Sequence, residues 1–185
     1  VKKLPPYSQV NPFSFDEELA RQAATAEYDP YYQQQITDYT SQVERTKARS
    51  AEDLQSTLSF LTAGKDSYVG NERRLLDLSI KSTNNGYAGN GLFFSGARKR
   101  DIGTLQENTS QNINDYMRGY NYNTAQAEKS NIRTGQDVTT AQNIFNRDIA
   151  QSEKAAIEGG VLQRRQEALD EYNIGAQTYY QNAYG

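Results

Sequence analysis

The 185-residue sequence predicts an all-α protein built as a long α-helical hairpin of coiled-coil-like helices, with an extended N-terminal arm. Three observations predict it. Three of the four prolines fall within the first twelve residues and the last is Pro30, so nothing in the following 155 residues interrupts a helix by its ring. Downstream apolar residues recur at spacings of three and four. One strong break, rich in Gly and Asn, divides that run.

Pro5, Pro6 and Pro12 make residues 1–13 an extended arm, because proline restricts its own φ and biases its predecessor away from helix. Ser14-Phe15-Asp16-Glu17 has the form of a capping box, opening a short helix to about Glu27 with acids in its dipole-favoured first turn. Asp29 then suits an N-cap and Pro30 the first helical position, where its missing N–H is harmless. In the long helix that follows, Ile36, Tyr39 and Val43 start a stripe. It resumes through Leu54, Leu58, Leu61, Lys65, Tyr68, Glu72, Leu75 and Ser79, alternating four and three. A stripe so narrow, interrupted by Lys65, Glu72 and Ser79, is a seam between helices rather than the broad face of a globular helix.

Residues 82–96 form the turn. They hold two Asn-Gly pairs and, from Gly86 to Gly96, four glycines in eleven residues. Inside it sits an apolar trio, Leu92-Phe93-Phe94, and Ser95 is placed to cap a second helix from about Gly96. That helix opens with Arg98-Lys99-Arg100, cations set against its dipole, which implies a partner for them. Leu105, Tyr116, Ala127, Val138 and Ile149 then recur every eleven residues, the period of a straight or slightly right-handed coil. Arg118–Asn123, Gly135 and Gly159-Gly160 are candidate kinks. The stretch from Tyr172 to Gly185 has four tyrosines and no Lys or Arg. The chain is thus read as an arm (1–13), a short helix plus first long helix (14–81), a turn with an apolar plug (82–96), and a second long helix with a tyrosine-rich tail (97–185).

Composition narrows the chemistry. Leu, Ile, Val and Phe make up 33 of 185 residues, about 18%, below the roughly 20% at which a chain becomes too polar to fold alone. Yet the net charge is only −3, short of what disorder demands. The difference is made up by 17 Gln, 15 Asn and 14 Tyr. A large private core is not expected; order supplied by neighbouring chains is. With no Cys and no His, disulfides, thiol nucleophiles, cysteine or histidine zinc sites and Ser-His-Asp triads are all excluded, and no cofactor is expected. No apolar run reaches the length of a membrane span, and the opening lysines are not followed by the apolar stretch of a secretory signal.

Gly91-Leu92-Phe93-Phe94-Ser95-Gly96-Ala97-Arg98 has the glycine spacing of a phosphate-binding loop. It lacks the Lys-Ser/Thr pair, and a helix rather than a strand precedes it, so a turn with an apolar plug is the better reading. The basic clusters Arg73-Arg74, Arg98–Arg100 and Arg164-Arg165 are each followed by acids. This favours salt bridges over sequence-specific DNA recognition, and any nucleic-acid contact is expected to be non-specific. The tyrosines bury a ring while keeping a hydroxyl in water, which suits protein interfaces. The residues expected at contacts between subunits are Tyr31, Tyr32, Leu92, Phe93, Phe94, Arg98, Arg100, Tyr116, Tyr120, Tyr179 and Tyr180.

The proline arm, the Tyr28–Ile36 helix start (YDPYYQQQI), the Gly91–Arg98 turn (GLFFSGAR) and the long Gln/Asn-rich helix together resemble helical structural proteins of tailed-bacteriophage virions, of the neck, tail or internal ejection apparatus. The resemblance implies a non-enzymatic, multi-copy component located in the virion, with homo-oligomerisation and other virion structural proteins as its partners. The rival expectations are a subunit of a cellular extracellular or surface filament and a virion enzyme degrading peptidoglycan.

Overall fold

The computed structural model describes residues 4–184, so residues 1–3 of the predicted arm lie outside the described residues. Among the described residues the chain is helical without strands: α1 (Tyr7–Val10), α2 (Glu17–Gly89) and α3 (Gly96–Tyr184). The all-α, two-helix expectation holds. The chain divides into two compact units, Arg45–Val138 (the turn unit) and Val1–Glu44 with Thr139–Gly185 (the terminal unit), and each takes one segment from α2 and one from α3.

Several boundaries differ from those read in sequence. The described part of the arm is not wholly extended: after Pro6 the chain makes one helical turn, closed by the Gln9 N–H to the Pro6 carbonyl and the Asn11 N–H to the Tyr7 carbonyl. The cap of α2 is Asp16 rather than Ser14; its Oδ1 accepts the Leu19 N–H at 2.9 Å. The helix then runs through Pro30 instead of restarting there. A proline inside a helix removes one hydrogen bond, at about 3 kcal/mol. Here the deprived carbonyl belongs to exposed Ala26, where water can serve it, and tertiary packing holds the helix on both sides.

α2 also extends past the predicted start of the turn, through Asn84, Asn85 and Gly86. It ends in a Schellman arrangement: the Leu92 N–H bonds the Tyr87 carbonyl at 2.8 Å and the Gly91 N–H bonds the Ala88 carbonyl at 3.0 Å, with Gly91 at φ +70°. Glycine is required there because that φ is strained for other residues. Ser95 Oγ accepts the Arg98 N–H at 3.2 Å and caps α3. None of the candidate kinks breaks α3.

In the turn unit the helices are antiparallel: Ser50 bonds Asn131, Thr62 meets Tyr120, Tyr68 stacks on Tyr116 and Glu72 accepts from Asn112, one number rising as the other falls. The seam positions of α2 turned inward include Leu54, Leu58, Leu61, Lys65, Tyr68, Glu72, Leu76 and Ser79. Leu75, read as a seam residue, is 51% exposed, and Leu76 takes its place. The 4-3 alternation fails there because a straight helix drifts about 20° per heptad, or roughly 60° over the three heptads from Leu54 to Leu75. An eleven-residue rhythm drifts less per residue and in the opposite sense, and α3 follows one: Leu105, Tyr116, Ala127 and Val138 all turn inward.

The terminal unit is antiparallel too. Tyr39 stacks on Phe145 at 4.0 Å, the Tyr32 hydroxyl donates to the Ser152 carbonyl, and Arg164 bridges Glu27 at 2.7 Å. Its core is small: Ala20, Ala24 and Val161, with Phe15, Tyr28 and Ile157 against them. Gly160 permits this approach, since a Cβ there would lie 3.0 Å from the Tyr28 ring and 3.2 Å from the Ala24 Cβ. Two helices sharing one seam can bury little. The buried apolar residues among those described are Ala20, Ala24, Val43, Ile149 and Val161, and of these only the small Ala24 is fully enclosed.

Candidate functional site

The turn is the most distinctive surface. Its backbone is held by the Schellman bonds, by the Ser95 cap, and by a short bond from the Tyr87 hydroxyl to Asp101 Oδ2 at 2.6 Å. That bond raises the Tyr87 pKa above its ordinary value, with burial adding to the rise, because the donated proton is needed to keep it. Arg98 reaches back to Asn84 Oδ1 at 2.8 Å and lays its guanidinium over the Phe93 ring, 4.3 Å from the centroid. Its Nε is buried without a hydrogen-bond partner. Phe94 stands edge-on to Phe93 and is 89% exposed; Leu92 is exposed beside it, and Lys99 and Arg100 lie in the solvent-facing first turn of α3. The turn therefore presents a fixed apolar knob with a cationic collar. Exposed apolar groups of this kind have no folding rationale within the chain.

The tyrosines are placed differently. Sequence clustering assigns them to contacts between copies, yet most are engaged within the chain. Tyr116 stacks on Tyr68 with rings 4.1 Å apart and nearly parallel, a packing that raises the Tyr68 pKa by burial and by the nearby Glu72 carboxylate. Tyr120 meets Thr62 through its hydroxyl and receives Lys65 over its ring. Tyr32 is held by Ser152, whereas Tyr31 stays exposed.

Tyr179 and Tyr180 clamp the N-terminal segment: the Tyr180 hydroxyl accepts the Tyr7 N–H, the Tyr179 hydroxyl donates to the Pro5 carbonyl, and the Tyr7 ring sits between Tyr172 and Tyr179. Gly175 leaves space for it, because a Cβ there would come within 2.6 Å of the Tyr7 hydroxyl. The Tyr184 side chain lies outside the described residues. Tyr7, Phe13, Tyr172 and Gly175 were not legible as a site. A lone glycine and scattered rings become a clamp only once the chain folds back.

The acids form one notable pair. Glu153 of α3 hydrogen-bonds Asp29 of α2, and burial first, then that bond, raises the Glu153 pKa above 4.5. Carboxyls within hydrogen-bond reach of each other stand closer than the about 5–9.5 Å that separates the two catalytic carboxyls of glycoside hydrolases. Among the described residues no three acids gather as a metal site. A shallow groove of about 270 Å³ lies elsewhere in the terminal unit, lined by buried Val161 and exposed Leu162 and edged by Glu17, Arg21 and Glu158.

No protein-family model matches the chain, and no curated protein or solved structure is significantly similar to it.

Proposed function

We infer that the chain is a non-enzymatic structural subunit of a multi-copy assembly, of the kind its sequence style suggests for a phage virion. The supporting observation is the burial deficit. The chain exposes 13481 Å², against the about 9,000 Å² that surface–mass scaling gives for a folded monomer of 20.8 kDa. The excess is larger than a standard protein–protein interface of about 1,600 Å². Among the described residues no side chain larger than alanine is fully enclosed, so further burial by neighbours is what would stabilise helices of this composition.

Sedimentation velocity from low to high micromolar concentration tests the reading. The expected result is a mass that climbs above 20.8 kDa as concentration rises. A single monomeric species throughout overturns it.

A further inference from the structure

The two compact units differ in charge. Arg45–Val138 carries 13 Lys and Arg against 10 Asp and Glu, while the remaining residues carry 7 against 13. The turn unit is therefore net positive and the terminal unit net negative. This difference falls on two of the surfaces where large apolar side chains stand exposed. The knob of Leu92 and Phe94 is collared by Lys99 and Arg100, and no acid lies in the first turn of α3. The nearest carboxylate, Asp101, is already taken by the Tyr87 hydroxyl. The groove over Val161 and Leu162 has the complementary character: Leu162 is 66% exposed, and the rim holds Glu17 and Glu158. The one rim cation, Arg21, is turned to Glu17 at 3.6 Å.

We propose that the turn of one copy docks in this groove of a second copy, Phe94 entering over Leu162 while Lys99 and Arg100 face Glu17 and Glu158. Size permits it, because a cavity of about 150 Å³ already holds a benzene ring and the groove offers about 270 Å³. The knob needs little ordering on binding, since Gly91, Ser95 and the Arg98–Phe93 contact hold it in place beforehand. Two different surfaces meet at each joint. Made reciprocally between two copies, the contact closes a two-fold dimer with two joints; made in one direction only, it leaves a free knob and a free groove after each addition and builds a ring or an open array. The proposal rests on the assembly reading and gives it a specific joint.

Complementation tests it. Phe94→Ser and Leu162→Ser alter exposed side chains, and circular dichroism checks that helicity is kept. Each variant alone is expected to lose self-association by about tenfold or more in concentration, the effect of removing an interfacial anchor. Mixed one to one, they should pair as dimers and go no further, because the mixture retains a single intact knob–groove combination. Lys99→Glu with Arg100→Glu should fail likewise and be rescued by a second chain carrying Glu17→Lys and Glu158→Lys. If the parent chain assembles but either Phe94→Ser or Leu162→Ser assembles as the parent does, or the mixed variants do not pair, or the charge-reversed chains do not rescue one another, this joint is wrong and the assembly reading stands. A parent chain that never assembles removes the assembly reading itself.

Discussion

Glu153 is the residue whose ionisation works against its surroundings. Its pKa lies above the ordinary 4.5 because burial and the bond to Asp29 both favour the protonated acid. A raised folded-state pKa contributes stability that is full below the unfolded value and is lost as pH rises through the folded one. By this group alone, the terminal unit is steadier in acid than at neutral pH. Glu153→Gln keeps a hydrogen-bonding head without the charge, so it should raise the melting temperature at pH 7 by a few degrees at most and leave it nearly unchanged below the carboxylate range. Thermal melts of both proteins at pH 3 and 7 read this out; an equal shift at the two pH values would assign the effect to packing instead. Gly160 and Gly175 act at the same scale. Each is a missing Cβ that lets a tyrosine come close, Tyr28 in one case and Tyr7 in the other.

At the scale of the element, the rhythm of the seam decides which leucines matter. Leu76 faces α3 and Leu75 faces water, although a strict heptad puts Leu75 inside. Leu76→Asn should therefore destabilise the chain by about 1–2 kcal/mol, a half-buried share of the usual large-to-small loss. Leu75→Asn should stay within about 0.5 kcal/mol as a surface change. Urea unfolding at dilute concentration separates them, and reversed sensitivities would restore the heptad.

The Asn-Gly cluster, the Ser95 cap and the proline-free run were legible because each acts through its own backbone or that of close neighbours. The continuity of α2 through Pro30 was not. Asp29-Pro30 is a sound helix start in isolation, and only packing on both sides of it, Tyr28 over Gly160 and Tyr32 against Ser152, outweighs the lost bond. The tyrosine sites were half legible for a related reason. Clustering marks rings that will pack, but not whether the surface they meet belongs to the same chain.

For the whole molecule the governing quantity is burial. A chain that leaves 13481 Å² exposed has much to gain from mass action, since any partner that binds only the folded form raises its stability. The melting temperature should accordingly climb with protein concentration, by several degrees over a hundredfold range. Calorimetry at low and high micromolar concentration checks it, and a concentration-independent transition would mean that each chain is stable alone.

Fold class, turn chemistry and the shortage of apolar residues are determined by the sequence itself, because proline exclusion, glycine at positive φ and composition act locally or as averages. Tertiary structure alone decided that most tyrosines are engaged within the chain, that Leu76 rather than Leu75 joins the seam, and that Phe94 and Leu162 are left outside. These outcomes depend on which face of each helix meets the other, and that choice is made by close approach at residues such as Gly160 and Ala24, far apart in sequence and adjacent only after folding.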